Sequence, residues 1–395
     1  MLRKSGRRKG SNVFIAIRDL AYAKGRFALM GLVVALVAYL MTFLSGLSGG
    51  LISNNVSGLI AAPANHFAFQ YDDRPTFRSS LVDRAMWEGW QGRPGVRHAE
   101  PLGHTTFNGR NQRDEPLEFV LWGIRPGSFM DVPVASGAVV GSTENGVVIS
   151  SLLADRGVKI GDTITLDRVL TELKVVGITG DERNYEHAPI VFATLPKWQE
   201  ATYGPPGGAP PGEKLPDVVF DFASAVALDL DPAMTPAQIA AADEELGTTT
   251  LDKQASFQTS PAYQVEVFTV AAIQAFLVVT SAVLLGAFFL IWTIQRTAEI
   301  GLVKAMGASN GYLLRDSLGQ ALVLLLGGLA VGVGLALISG VAFKATAEAG
   351  TPFQFEPMTV VVSALLLLAA GLVGGAVSIR RITAIEPLIA LGRDR

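Results

Sequence analysis

The chain of 395 residues is 49% hydrophobic and only 17% charged, and its mean hydropathy is +0.37. Soluble proteins average about 25% charged residues, so this composition argues against an ordinary cytosolic enzyme. There is no cysteine, which excludes disulfides, thiolate metal sites and a cysteine nucleophile and leaves the redox state of the compartment open.

Polar residues collect between about 52 and 262, and apolar residues collect at the two ends. The pattern predicts an α-helical membrane protein with four spans and one large extracytoplasmic α/β domain. Apolar runs at Phe27–Leu47, Phe268–Ile294, Leu318–Phe343 and Met358–Ile379 each approach or exceed the ~20 residues needed to cross a bilayer. None carries a charge in its interior, and inside lipid each must be helical to satisfy its own backbone. The first run follows Arg7, Arg8, Arg18, Lys24 and Arg26, as the core of a signal peptide does. A signal core spans only about 7–15 residues, and Ala61–Ala64 lies far from the run, so it is read as a retained span.

Taken in order, the expected organisation is as follows. Residues 1–26 form a cytoplasmic amphipathic helix, 27–47 the first transmembrane helix and 48–262 the extracytoplasmic domain. Residues 263–294 form the second transmembrane helix, 295–317 a cytoplasmic loop, 318–343 the third helix and 344–357 an outer loop. The fourth helix is 358–379, followed by a cytoplasmic tail at 380–395.

Charge orients this arrangement. The N-terminal segment, the 295–317 loop and the tail carry fifteen positive and five negative side chains, a net +10. Everything else carries seventeen positive and thirty negative, a net −13. Cytoplasmic loops are enriched in Lys and Arg, so both termini face the cytoplasm of a multi-pass protein in the cell membrane. The formal net charge of −3 hides this polarity.

The outer block has a mixed α/β pattern. Gly146–Ile149 reads as a strand, Ser150–Arg156 as a helix with Ser150 as its cap, and Gly161-Asp162 as a turn. Thr163–Leu166 and Leu173–Ile178 read as further strands, Gly204–Pro216 as a surface loop, and Thr235-Pro236 as a capped helix start. His66, His98, His104 and His187 are scattered, with none in metal-ligand spacing. No nucleophile elbow, zinc-protease helix or phosphate loop occurs. The expectation is no catalytic residue, no metal and no intrinsic cofactor.

The 295–317 loop carries the most specific signal. Ile300, Val303 and Met306 share one face of a short amphipathic helix, widened by Leu302 and Ala305. Gly307 supplies the C-cap, and Ser309 caps the next helix. On periodicity alone this is either a re-entry elbow or a helix made to dock in a partner's groove. The run Arg296, Glu299, Ile300, Gly301, Lys304, Ala305, Gly307, Ala308 and Ser309 resembles the coupling-helix signature of FtsX/MacB-type permeases of ABC transporters. One span, a large outer domain and then three spans agree with that family, as do Arg380-Arg381-Ile382 and Ile385-Glu386-Pro387, where the family more often has Asp-Pro.

The resemblance implies a MacB-like porter region around Gly146–Ile178, accompanied by a second subdomain. It also implies a homodimer in the lipid bilayer and docking of two copies of a separate ATPase on Ile300–Ser309, Met306 included. Such a chain is not itself an enzyme. It performs mechanotransmission, and no nucleic acid is involved.

The segment Arg18–Leu51 is similar to the DevC/HrtB branch, whose HrtB-like members export haem from the membrane. Haem would then be a transported substrate. A haem held among the spans needs an axial ligand of the Met, Tyr or His kind. Candidates in the outer half are Tyr39, Met41, Tyr263 and Glu266. Tyr39 and Met41 point about 200° apart on a helix, whereas Met30 and Met41 share a face about 16 Å apart. Glu266 is singled out because an acid near the hydrocarbon boundary is costly.

Small residues at Gly328, Gly332, Ala336, Gly340, Gly371 and Gly375 suit close packing within one subunit. Span one, with Ser45 and Gly49 at its outer end, is expected to face the twin subunit or the cargo. The alternatives are a MacB-like exporter of peptide, macrolide or lipid, and an FtsX-like regulator of an outer cell-wall hydrolase.

Overall fold

The computed structural model describes residues 24–167, 169–205, 214–295, 302, 306–346, 353–355 and 357–383. In chain order the helices are α1 (Lys24–Asn55), α2 (Ser57–Ala61), α3 (Arg84–Gln91), α4 (Ser151–Asp155), α5 (Leu195–Tyr203), α6 (Pro236–Leu246), α7 (Pro261–Gln295), α8 (Asn310–Thr346) and α9 (Pro357–Thr383). The strands are β1 (His66–Gln70), β2 (Val82–Asp83), β3 (Val96–Arg110), β4 (Pro116–Ile124), β5 (Val134–Gly137), β6 (Gly146–Ile149) and β7 (Thr163–Leu166). They continue with β8 (Glu172–Thr179), β9 (Asn184–Tyr185), β10 (Ala188–Thr194), β11 (Phe222–Ala223), β12 (Ala225–Leu230) and β13 (Thr248–Asp252). The chain divides into two units, one holding 51–267 and one holding most of the long apolar helices. The expected amphipathic helix at 1–26 lies outside the described residues but for its last three, 24–26, which open α1.

The helical unit has four helices long and apolar enough to cross a membrane, with apolar spans at Ala28–Asn55, Pro261–Ile291, Leu318–Ala345 and Pro357–Val377. The apolar side chains that pack together come from all four helices and include Met30, Val34, Ala38, Met41, Leu285, Phe289, Leu325 and Leu367. Glycine sets the spacing between helices. A Cβ on Gly332 of α8 would overlap the Ala35 carbonyl oxygen of α1, and one on Gly328 would lie 2.6 Å from Val34 Cβ. A Cβ on Gly374 of α9 would stand 3.1 Å from the Cα of Gly286 in α7. Between apolar helices in lipid, close backbone approach supplies attraction that hydrophobicity cannot. The helix starting at Lys24 runs through Gly46, Gly49 and Gly50 to Asn55, past its expected end at 47. These glycines are helical because two of them, Gly46 and Gly49, form the seat of another segment of the chain, as described below.

The other unit is built on an eleven-stranded sheet. Its main order is β13-β1-β12-β3-β4-β10-β6-β8-β5, with β7 beside β3 and β8 and with β9 on β10; β2 and β11 pair separately. Strands β4 and β10 pair in parallel, as do β6 and β8, and the other pairings are antiparallel. The long β3 is shared: its first half pairs with β12 and its second half with β4. Gly103 and Gly123 sit opposite each other in that second pairing. Their bare surface receives the indole of Trp198 from α5, where any Cβ would collide. Trp87 and Trp90 of α3 fill a separate core over β12 with Ala242 of α6.

Helix α6 opens on a full capping box, with Thr235 Oγ1 and the N3 residue Gln238 satisfying each other's backbone, and closes on Gly247 at φ 66°. At α4, Ser150 occupies the cap position, yet its hydroxyl does not cap the helix. Instead Ser150 Oγ accepts from Arg183 N–H at 2.8 Å, tying α4 to the segment before β9.

Candidate functional site

Only Glu186 and His187 separate β9 from β10, and both lie in the left-handed region, at φ 52° and 63°. Such two-residue loops favour Gly or Asn, because a Cβ in that region costs roughly 1–2 kcal/mol per residue. Neighbouring groups hold the turn in place. Glu186 N–H donates to the Asn55 carbonyl at 2.8 Å, Asn184 N–H donates to Ser57 Oγ at 2.8 Å, and the Asn184 amide bonds the Asn54 side chain.

Asn55, the last residue of α1, is fully buried. Its Nδ2 donates to Glu266 Oε2 at 3.1 Å, and its Oδ1 accepts from Ser260 Oγ at 3.0 Å. Glu266, in the second turn of α7, also bonds His187 Nε2 through Oε1. Burial raises the Glu186 carboxyl above its ordinary pKa, opposed by a hydrogen bond from Ser260 and by the charges of Arg78 and His187. The cluster thus joins the end of α1, the start of α7 and one hairpin tip.

A second cluster lies in the helical unit. Phe353-Gln354-Phe355 crosses glycines of two helices: a Cβ on Gly46 would stand 2.7 Å from both rings, and one on Gly340 would stand 2.5 Å from Phe353 and Phe355. Gln354 N–H donates to the Gly46 carbonyl at 2.9 Å, and Gln354 O lies over Gly49. The rings continue through Phe343 to Phe43, which stacks on Tyr39 at 5.7 Å. Nearby, Ser45 Oγ donates to the Met41 carbonyl at 2.7 Å and lies 3.4 Å from both Ser363 Oγ and Gln274 Nε2. Ser45 and Gly49 thus both have partners within their own chain.

The four expected haem contacts fall in different places. Tyr39 is half-buried on α1 beside Phe43, and Met41 is enclosed among the four helices with Met30. Tyr263 packs edge-on to Phe257 at 5.8 Å, and Glu266 joins Asn55 and His187. Asn55, His187 and Ser260 were not singled out from sequence. Their only signal there is two asparagines at the end of an apolar run, because the partners are remote in the chain. Among the described residues, no three His, Asp or Glu side chains converge to hold a metal.

Of the 295–317 loop, Arg296, Glu299, Ile300, Gly301, Lys304 and Ala305 lie outside the described residues. Met306 is exposed and its N–H donates to the Leu302 carbonyl; Gly307 takes φ 97°, followed by Ala308. Ser309 Oγ accepts from Tyr312 N–H at 3.2 Å as α8 begins.

Residues 271–387 match the FtsX-like permease C-terminal family. Over its length the chain is 23% identical to a Staphylococcus haemolyticus protein named for hemin transport, the permease protein HrtB, covering 96% of this chain and 99% of the relative. It is 31% identical over 127 residues to the macrolide export ATP-binding/permease protein MacB of Shewanella oneidensis, covering 32% of this chain and 19% of that protein. A solved periplasmic region of MacB from Actinobacillus actinomycetemcomitans aligns with 53% of this chain and 97% of its own, at 10% identity and a TM-score of 0.35.

Proposed function

We propose that this chain, an ABC-type permease with an FtsX-like C-terminal domain at residues 271–387, is the membrane subunit of an efflux complex that exports haem or a similar flat lipophile. One observation carries the choice of cargo: the similarity to the hemin-transport permease runs nearly end to end, whereas the similarity to the macrolide exporter covers a third of the chain. The sequence contains no phosphate-binding loop, so ATP is consumed by a separate subunit. Two copies of that ATPase dock on the Ile300–Ser309 elbows of a permease homodimer and push on them as they close. The push travels along the helices to the sheet unit, and haem leaves the bilayer as cargo without acting as a resident cofactor. Both termini and the elbow lie in the cytoplasm, a placement supported by the net +10 of those segments.

Proteoliposomes holding the permease and its ATPase, with haemin in the membrane, test this reading. Haemin is expected to pass to an external haem acceptor only when ATP is supplied, and to shift its Soret band on binding the permease. Absence of both effects, in a complex whose ATPase is active, would remove haem as the cargo.

A further inference from the structure

We infer that Arg183 is an oxyanion-binding residue of the sheet unit, with Nη1 and Nη2 poised to take the oxygens of a carboxylate or phosphate group. Arg183 is only 6% exposed, which is deep for a charged side chain. A guanidinium carries N–H donors on every edge, and burying it is costly unless those donors are met. Here one donor is met: Nε donates to Asp181 Oδ1 at 2.9 Å. Among the described residues, Nη1 and Nη2 have no hydrogen-bond partner. Neither nitrogen is among the polar atoms sealed from solvent without a partner, so a small group can reach both.

The rest of the residue is held in place. Its N–H donates to Ser150 Oγ at 2.8 Å, and its carbonyl accepts from Ile190 N–H at 2.8 Å, just before the β9–β10 hairpin. The guanidinium carbon lies 5.9 Å from the centre of the Phe192 ring, which meets Trp122 edge-on at 5.8 Å. Asp181 is anchored in turn. Its carbonyl accepts from Thr179 Oγ1 at 2.6 Å, and Thr179 Oγ1 accepts from Ser151 N–H at 3.1 Å. The fork is thus fixed at its base and idle at its outer edge. An arginine present only to pair Asp181 would be better served by two parallel bonds to that carboxylate, yet it makes one. A planar fork matches a carboxylate or a phosphate, and a group already ordered loses little freedom on binding.

Such an oxyanion has two sources, a carboxylate of the cargo, which haem bears, and the phosphate of a lipid. The first rests on the export reading; the site itself does not. The site is tested on the full chain in a non-ionic detergent at constant ionic strength. Replacing chloride by inorganic phosphate or acetate should raise the thermal midpoint by about 2–4 °C. Arg183→Gln should abolish the rise, and Arg183→Lys, which keeps the charge and loses the fork, should retain part of it. Asp181→Asn should enlarge the rise, because the guanidinium then lacks its resident carboxylate. A variant that merely loosened the fold would not bind anions more tightly. No rise in the native chain, an equal rise in Arg183→Gln, or no enlargement in Asp181→Asn would overturn the site.

Iron-free probes then separate the sources. If the group belongs to the cargo, deuteroporphyrin should bind about tenfold tighter than its dimethyl ester, and Arg183→Gln should remove the difference. If it is a lipid phosphate, acid and ester should bind alike, and a short-chain phosphatidylglycerol should be retained by the native chain and released by Arg183→Gln. An anion effect that persists where no haemin is exported would leave the site standing and remove the haem reading.

Discussion

His104 shows how one buried side chain ties stability to pH. Its Nδ1 accepts from Trp122 Nε1 at 3.0 Å, and its ring lies against Phe77 and Tyr185. Burial pushes its pKa down to about 3 from 6.5. The unfolded chain therefore binds a proton that the folded chain refuses. The stability this residue contributes is fully present above pH 6.5 and is lost as pH falls toward 3, at about 1.4 kcal/mol per unit. Urea unfolding of the sheet unit, followed by Trp fluorescence at pH 7 and pH 5, is expected to show this loss, and His104→Gln should flatten it. A second prediction at this scale concerns glycine. Gly332→Leu should lower the thermal midpoint of the detergent-solubilised protein, because its side chain would meet the α1 backbone, at a cost of about 1–3 kcal/mol. Gly334→Leu, with open space around it, should leave the midpoint unchanged.

At the scale of elements, the legible features were those written in adjacent residues. Gly146–Ile149, Thr163–Leu166 and the strand around Leu173–Ile178 are strands, and Thr235-Pro236 opens a helix with its capping box. Thr235→Ala should cost about 1 kcal/mol in the same urea assay, and Ser150→Ala should act through the lost Arg183 N–H bond rather than through fraying of α4. The helix of the first span runs on past residue 47, and its Gly46 and Gly49 lie beneath the Phe353–Phe355 segment, a partner that nothing near them in the sequence announces. The cluster of Asn55, His187 and Glu266 was illegible for the same reason: His187 is 79 residues from Glu266 and 132 from Asn55. Glu266 alone stood out, because an acid so close to an apolar run is costly wherever its partners come from.

At the scale of the whole molecule, composition and charge were sufficient to set four spans around one large polar block, and the FtsX-like match falls on the last three spans and the elbow between them. On the proposed reading, ATPase docking and export are coupled through the 295–317 loop, and such couplings are typically 1–3 kcal/mol. Glu299→Lys should break that coupling. The ATPase is expected to hydrolyse ATP while haemin stays in the membrane, whereas a variant with normal export and normal ATPase stimulation would take Glu299 out of the coupling path.

The most direct measurement follows the sheet unit while ATP is turned over. Permease and ATPase are reconstituted together with a fluorophore at Glu118→Cys, and its accessibility to an impermeant quencher is recorded. The label is expected to be reached only from the side opposite the ATPase, and its signal to change with each addition of ATP. Quenching from the ATPase side, or ATP turnover with haemin export and no change at this label, would contradict the account.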